Sequence, residues 1–275
     1  MALIDLLNSE ARAELDQALA SQTQSLLFCA SEQSELDLSL TYLQNKITAQ
    51  KDELFIIKPD DTGKIKIDAI RTILQKTIVS PQTRRFFLIL NAETMLVGAQ
   101  NALLKELEEP KANFFFWLFS KQPNQLLPTI RSRVRKINLV PIDQSAIKNY
   151  FRQALPALKP NQIKQIAFLA GNDIALWENL STDEAELKNW AKLAILAKQI
   201  IATNSLYQKI RLIYQVPNQR DEAINFVKLV LKIYNQILQT KTTPNLVEQI
   251  EKWLEALDKI TANGAVRLSL VTAVL

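Results

Sequence analysis

Between Ser25 and Val140 the sequence alternates between two kinds of segment. Short runs rich in aromatic and β-branched residues, SLLFCA (25–30), ELFIIK (53–58), RRFFLIL (84–90), NFFFWLF (113–119) and RKINLV (135–140), are separated by stretches with helical apolar spacing at 35–50, 67–78 and 99–109. Strands that alternate with helices predict a parallel sheet with helical crossovers. The continuous apolar character of FFLIL and FFFWLF fits central strands covered on both faces.

After Pro141 no strand candidate remains. IDQSAIKNYFRQAL, KPNQIKQIAFLAG and DIALWENL read as three short helices broken at Pro156, Pro160 and Gly171, with Asp143 and Asn161 as N-caps. From Thr182 the helices lengthen, and Leu246, Ile250, Trp253, Leu257 and Ile260 follow one helical stripe. AINFVKLVLKIYNQIL (223–238) is apolar on more than one face, which predicts burial against partner chains as well as its own domain. The expected organisation is an α/β domain over 1–141, a small helical domain over 142–181 and a longer all-α domain over 182–275.

Composition narrows the chemistry. The chain has 275 residues, 48% of them hydrophobic, which is ample for packed cores. It contains no histidine and a single cysteine, Cys29, so histidine catalysis, an intramolecular disulfide and a multi-cysteine zinc site are all excluded. Cys29 lies in the apolar run and is expected to pack. No apolar stretch reaches the roughly 18–20 residues of a membrane span. The opening MALIDLLNSEARAELDQ carries acids too early for a signal peptide, so a soluble cytoplasmic protein without a membrane partner is expected. The net charge of +5 permits an anionic partner without requiring one.

The first strand runs into a polar turn, Ser31-Glu32-Gln33-Ser34-Glu35, and then a helix. A phosphate-binding loop at such a junction would present glycines and a lysine. Here there is neither, and Glu32 and Glu35 would repel a polyphosphate.

Two stretches carry a resemblance. QNALLKELEEP (100–110) followed by LLPTIRSRV (126–134) is similar, in order and spacing, to the AAA+ clamp-loader family, in particular to its ATPase-inactive delta-prime-type members. GKIKIDAIRTI (63–73) and the closing ANGAVRLSLVTAVL (262–275) extend the similarity more weakly. The resemblance implies a P-loop-type (AAA+) parallel sheet domain, a helical lid and a C-terminal helical collar that holds an oligomer. It makes Ser31–Glu35 a degenerate P-loop and places Leu90 and Asn91 where the Walker B acids belong. Leucine offers no oxygen to Mg²⁺, and Glu93 reads as a solvated charge at the strand end. In GNDIALW (171–177) the family's lid arginine is missing, and the four-cysteine zinc module of many members is absent from KITAQKDELFIIK. No cofactor and no metal are expected.

What the resemblance retains is the S-R pair, here Ser132-Arg133, with Val134 in place of the usual cysteine. It implies an arginine finger at Arg133 that reaches the ATP site of an adjacent gamma/tau-type ATPase subunit. Capping of its own short helix or pairing with a local carboxylate is the other reading of Arg133. Arg131 is expected to be structural. Lys64, Lys66, Arg71 and Lys76 fall where family members face primer–template DNA, with a solvated surface as the alternative. Lys105, Glu108 and Glu109 are expected on the outer face of their helix. The implied function is that of a non-hydrolysing subunit of a pentameric ring, beside a delta subunit, that loads the sliding clamp on primed DNA. The rival reading is a delta-type clamp-binding subunit, or a clamp-loader-derived adaptor without a finger.

Overall fold

The computed structural model describes residues 3–78, 82–240 and 244–275. The chain divides into two compact units. The first extends to Ala157 and takes in Asn172–Ala175, and the second comprises Leu158–Gly171 and Leu176–Leu275.

In the first unit the order is α1 (Ser9–Ala20), β1 (Ser25–Cys29), α2 (Gln33–Ala49), β2 (Glu53–Ile57), α3 (Ile67–Gln75), β3 (Arg85–Ile89), α4 (Val97–Glu108), β4 (Phe114–Ser120), α5 (Pro128–Arg131), β5 (Arg135–Asn138) and α6 (Gln144–Ala154). All strand pairs are parallel, in the order β2-β3-β4-β1-β5. Every residue of β1 and β4 is buried, as expected for inner strands covered on both faces, whereas the edge strand β2 is mostly half-buried and the edge strand β5 mostly exposed. The aromatic runs stack across the sheet: Phe87 lies 5.0 Å from Phe116, Phe86 4.7 Å from Phe115, and Phe28 4.9 Å from Phe119. Arg85 closes the start of β3, its Nε and Nη2 each donating to Glu53 at 2.9 Å while the guanidinium lies against Phe55 and Phe114. Because the strands are parallel and in register, the segments that follow β1, β3 and β4 leave the same edge of the sheet. In open α/β sheets that is the edge where ligand sites form.

The second unit is helical: α7 (Pro160–Ala170), most of α8 (Ile174–Thr182), α9 (Glu184–Ala202), α10 (Leu206–Ile213), α11 (Arg220–Leu238), α12 (Pro244–Thr261) and α13 (Val266–Val274). α11 packs on α9 with one side and on α12 with another, and Phe226 meets Trp253 edge-on at 5.9 Å. Its second apolar face is therefore covered by the chain's own helices rather than left wholly for a partner. Exposed apolar side chains remain at Ile195, Leu206, Tyr207, Tyr214 and Leu268. Asp143 caps α6 as expected, but α7 begins at Pro160 with Lys159 as its N-cap, and Asn161 lies inside it. Proline at the first helical position lacks only an N–H that has no intrahelical acceptor, so Pro160 opens the helix instead of breaking it.

Candidate functional site

The turn after β1 is filled by its own side chain. Glu35 lies in the first turn of α2, is 1% exposed, and points back over the loop. Its carboxylate accepts from the Ser31 N–H at 2.9 Å, from the Glu32 N–H at 3.2 Å and from the Ser31 hydroxyl at 3.1 Å. The N-terminal N–H groups of a helix and its entering loop are where a phosphate binds. Here a carboxylate from the same helix is the anion. Glu32 is the N-cap residue and is exposed, so the two acids play different parts: one occupies the donors and the other faces solvent. Ser34 is buried, and its hydroxyl accepts from the Ile174 N–H at 2.8 Å, while Gln33 donates to Asp37 at 2.9 Å. Each residue of the turn is thus engaged within the chain.

With β4 between it and β1, β3 ends at Ile89, and the Leu90 N–H donates to the Ile57 carbonyl at 2.8 Å, which extends the ladder by one residue. Asn91 turns the chain in a left-handed conformation (φ 48°), where asparagine is among the few tolerated residues. No acid follows the strand directly. Glu93 is half-buried, with one oxygen accepting weakly from the Lys121 N–H at 3.4 Å and the other buried without a partner. Its expected exposure at the strand end is not observed, because the turn at Asn91 folds it inward. Among the described residues no group of three His, Cys, Asp or Glu lies together as a metal site. Burial raises the Cys29 thiol above its ordinary pKa, in keeping with a packing role.

Arg133 follows the short helix α5. Its Nε donates to Glu108 at 3.1 Å and its Nη1 to the Thr129 carbonyl at 3.0 Å, with Ser132 Oγ at 3.4 Å. The side chain is 30% exposed. In the isolated chain it therefore makes the local carboxylate pair that was the other reading of this residue, at a position that leaves it open to solvent. Arg131, expected to be structural, is exposed, and its Nη1 donates to Asn124 Oδ1 at 3.3 Å. Val134 is buried, a small apolar filler.

Sequence reasoning missed Gln100. Buried to 3% inside α4, it donates from Nε2 to the Met95 carbonyl at 3.0 Å and accepts from the Leu127 N–H at 2.8 Å, which fixes the entry to α5. The available signal was an amide standing at a position that the helical period buries. On the outer face of α4, Lys105, Glu108 and Glu109 are exposed as expected.

The basic group divides. Lys66 pairs with Asp60 at 2.6 Å and Arg71 with Asp68 at 3.6 Å, while Lys76 lies 4.6 Å from the Phe55 ring centre. Lys66, followed by the Thr62 hydroxyl, holds the Asp60 carboxyl well below the usual carboxylate range. Lys64 is exposed. The local acids offset part of the positive field that the four residues would present together.

The family model described as "DNA polymerase III, delta subunit" matches residues 6–143. The chain is 34% identical over 123 residues to the DNA polymerase III subunit delta′ of Pseudomonas aeruginosa, a match covering 43% of this chain and 37% of that protein. It is 29% identical over 143 residues to the subunit of the same name from Bacillus subtilis, covering 51% and 42%. The chain thus spans about two fifths of the length of these relatives. A DNA polymerase III gamma subunit-related protein of Thermotoga maritima shares the fold, with a TM-score of 0.54 at 21% identity over 95% of this chain and 97% of that one. The fold is the P-loop-type AAA+ parallel sheet with helical segments that the sequence predicted.

Proposed function

The chain belongs to the DNA polymerase III delta subunit family, and from that premise we propose that it is a delta-prime-like, non-hydrolysing subunit of a bacterial clamp loader, acting in the cytoplasm. The observation that carries this reading is the Glu35 carboxylate seated on the donors of the loop after β1. A nucleotide would have to displace a buried, hydrogen-bonded anion with no lysine or Walker B acid to receive it. In this reading residues 142–181 serve as a lid and 182–275 as a collar that joins a pentameric ring. The partners are a gamma/tau-type ATPase subunit and a delta subunit, with the sliding clamp and primer–template DNA met through the ring. Lys64, Lys66 and Arg71 are the residues of this chain proposed to meet DNA phosphates, a sequence-independent contact.

Arg133 is the residue proposed to act in trans. It sits on the surface beside Ser132, and its planar fork suits the γ-phosphate oxygens of a neighbour's ATP. Fingers supplied in trans accelerate GTPases by about 10³–10⁵-fold, yet a ring with several ATP sites loses only part of its turnover when one finger is removed. The test is a reconstituted ring in which Arg133→Ala leaves assembly intact and slows DNA- and clamp-stimulated hydrolysis, with Arg131→Ala as an exposed control that changes neither. Unchanged hydrolysis in the Arg133→Ala ring refutes the finger. Micromolar binding of a fluorescent ATP analogue by the isolated chain refutes the inactive site, and capture of the clamp by the isolated chain points to a delta-type subunit instead.

A further inference from the structure

We propose that Glu108 is a positioning residue for Arg133: a carboxylate that sets the direction of the guanidinium before any neighbouring subunit is met. This rests on the reading of Arg133 as a finger acting in trans.

Glu108 is the last residue of α4, and Arg133 lies just beyond α5. The two elements are held as one framework. Gln100 of α4 accepts the Leu127 N–H at the entry to α5, and Leu103, Leu107, Ile130 and Val134 share one core. The carboxylate and the guanidinium, 25 residues apart in sequence, therefore meet on rigid supports rather than across a loose loop. Cations are also favoured at the C-terminal end of a helix, which α4 presents here.

Three contacts define the direction of the side chain. Glu108 Oε2 accepts from Nε at 3.1 Å, while the Thr129 carbonyl and Ser132 Oγ accept from Nη1 at 3.0 and 3.4 Å. None of these contacts uses Nη2. The carboxylate holds the guanidinium through Nε while the Thr129 carbonyl and the Ser132 hydroxyl hold Nη1, so Nη2 is the nitrogen that these contacts leave to meet an incoming anion. Arginine otherwise carries substantial rotamer freedom, which is lost when it docks. A side chain already oriented by its surroundings loses less. Glu108 is 57% exposed, and ion pairs in such settings add little to folding stability. Its effect is therefore expected in the finger's geometry and not in the fold.

The experiment uses the full chain in the reconstituted ring, with ATP hydrolysis followed before the steady state so that the site served by Arg133 is resolved. Glu108→Ala should slow hydrolysis there by about two- to fivefold, with the KM for ATP and the thermal stability unchanged. Glu108→Gln, whose amide oxygen can still accept from Nε, should restore most of the rate. Glu109→Ala, the adjacent exposed carboxylate, controls for charge and should have no effect. Added to Arg133→Ala, the Glu108→Ala change should do nothing further, because Glu108 acts only through the arginine. A rate that rises or stays the same in Glu108→Ala overturns the proposal, as does an equal loss in the Arg133→Ala background. If Arg133→Ala is itself silent, the finger reading falls first and this inference with it.

Discussion

Replacing Glu35 by alanine should cost the first unit much of its local order. The substitution removes a carboxylate that is 1% exposed and leaves the Ser31 N–H, the Glu32 N–H and the Ser31 hydroxyl without their acceptor. Hydrogen bonds to a charged group contribute about 1.5–3 kcal/mol each when considered singly. The sum is smaller here, because Ser31 and Glu32 are exposed, water can reach their donors, and removal of a buried charge recovers desolvation energy. Loss of a helix cap alone costs about 1 kcal/mol. The net expectation is a loss of about 2–3 kcal/mol, or about 4–12 °C in Tm for a chain of this size. Glu35→Gln keeps one acceptor oxygen and should lose about half as much. Two measurements check this: thermal unfolding, and hydrogen exchange at the Ser31 and Glu32 amides, which should quicken in the alanine variant. Inorganic phosphate should restore part of the lost Tm in Glu35→Ala and leave the unchanged protein unaffected, since only the variant has open donors. An unchanged Tm with unchanged exchange would show that water serves these groups as well as the carboxylate does, and the account of the inactive site would fail with it.

Arg84 joins three elements, donating to Asp52, to the Leu19 carbonyl and to Gln50. Asp52 has a side chain only 8% exposed, so Arg84→Ala should cost about 3 kcal/mol in urea unfolding, and a loss under 1 kcal/mol would count against a buried pair. The Asp60 carboxyl, depressed by Lys66, contributes stability that is present above its unfolded pKa of about 3.9 and is lost as pH falls through its lower folded value. An NMR titration should therefore find Asp60 still ionised at about pH 3, and Lys66→Met should move its midpoint back toward 3.9; equal midpoints would dismiss the pair. A Cβ at Gly264 would come 2.5 Å from the Lys259 carbonyl oxygen, which already accepts the Gly264 N–H at 2.7 Å. Gly264→Ala should destabilise the second unit by about 1–3 kcal/mol by thermal unfolding, and a neutral result would mean that the end of α12 yields readily.

Much of the fold was legible because it rests on short-range patterns. The runs SLLFCA, RRFFLIL and NFFFWLF became β1, β3 and β4 within a residue or so, since unbroken apolar character is stable only where both faces of a strand are covered. NALLKELEEP likewise showed its buried and exposed faces through helical periodicity alone, with Leu103 and Leu107 inside and Lys105 and Glu108 outside. Residue type alone also fixes that the Leu90 side chain offers no oxygen ligand. Partnership was beyond that reach. Glu32 and Glu35 are the same residue type three positions apart, yet Glu32 is the exposed N-cap residue and Glu35, at the third helical position, folds back to fill the loop. Gln100 and Arg133 acquire their roles from the Leu127 N–H and the Glu108 carboxylate, groups 27 and 25 residues distant. The several apolar faces of α11 were legible, but that α9 and α12 are the helices that cover them was not. Periodicity is a property of the local chain and survives in the sequence. Which donor meets which acceptor depends on distances of a few tenths of an ångström between segments far apart in sequence, and those are set only when the whole core has packed.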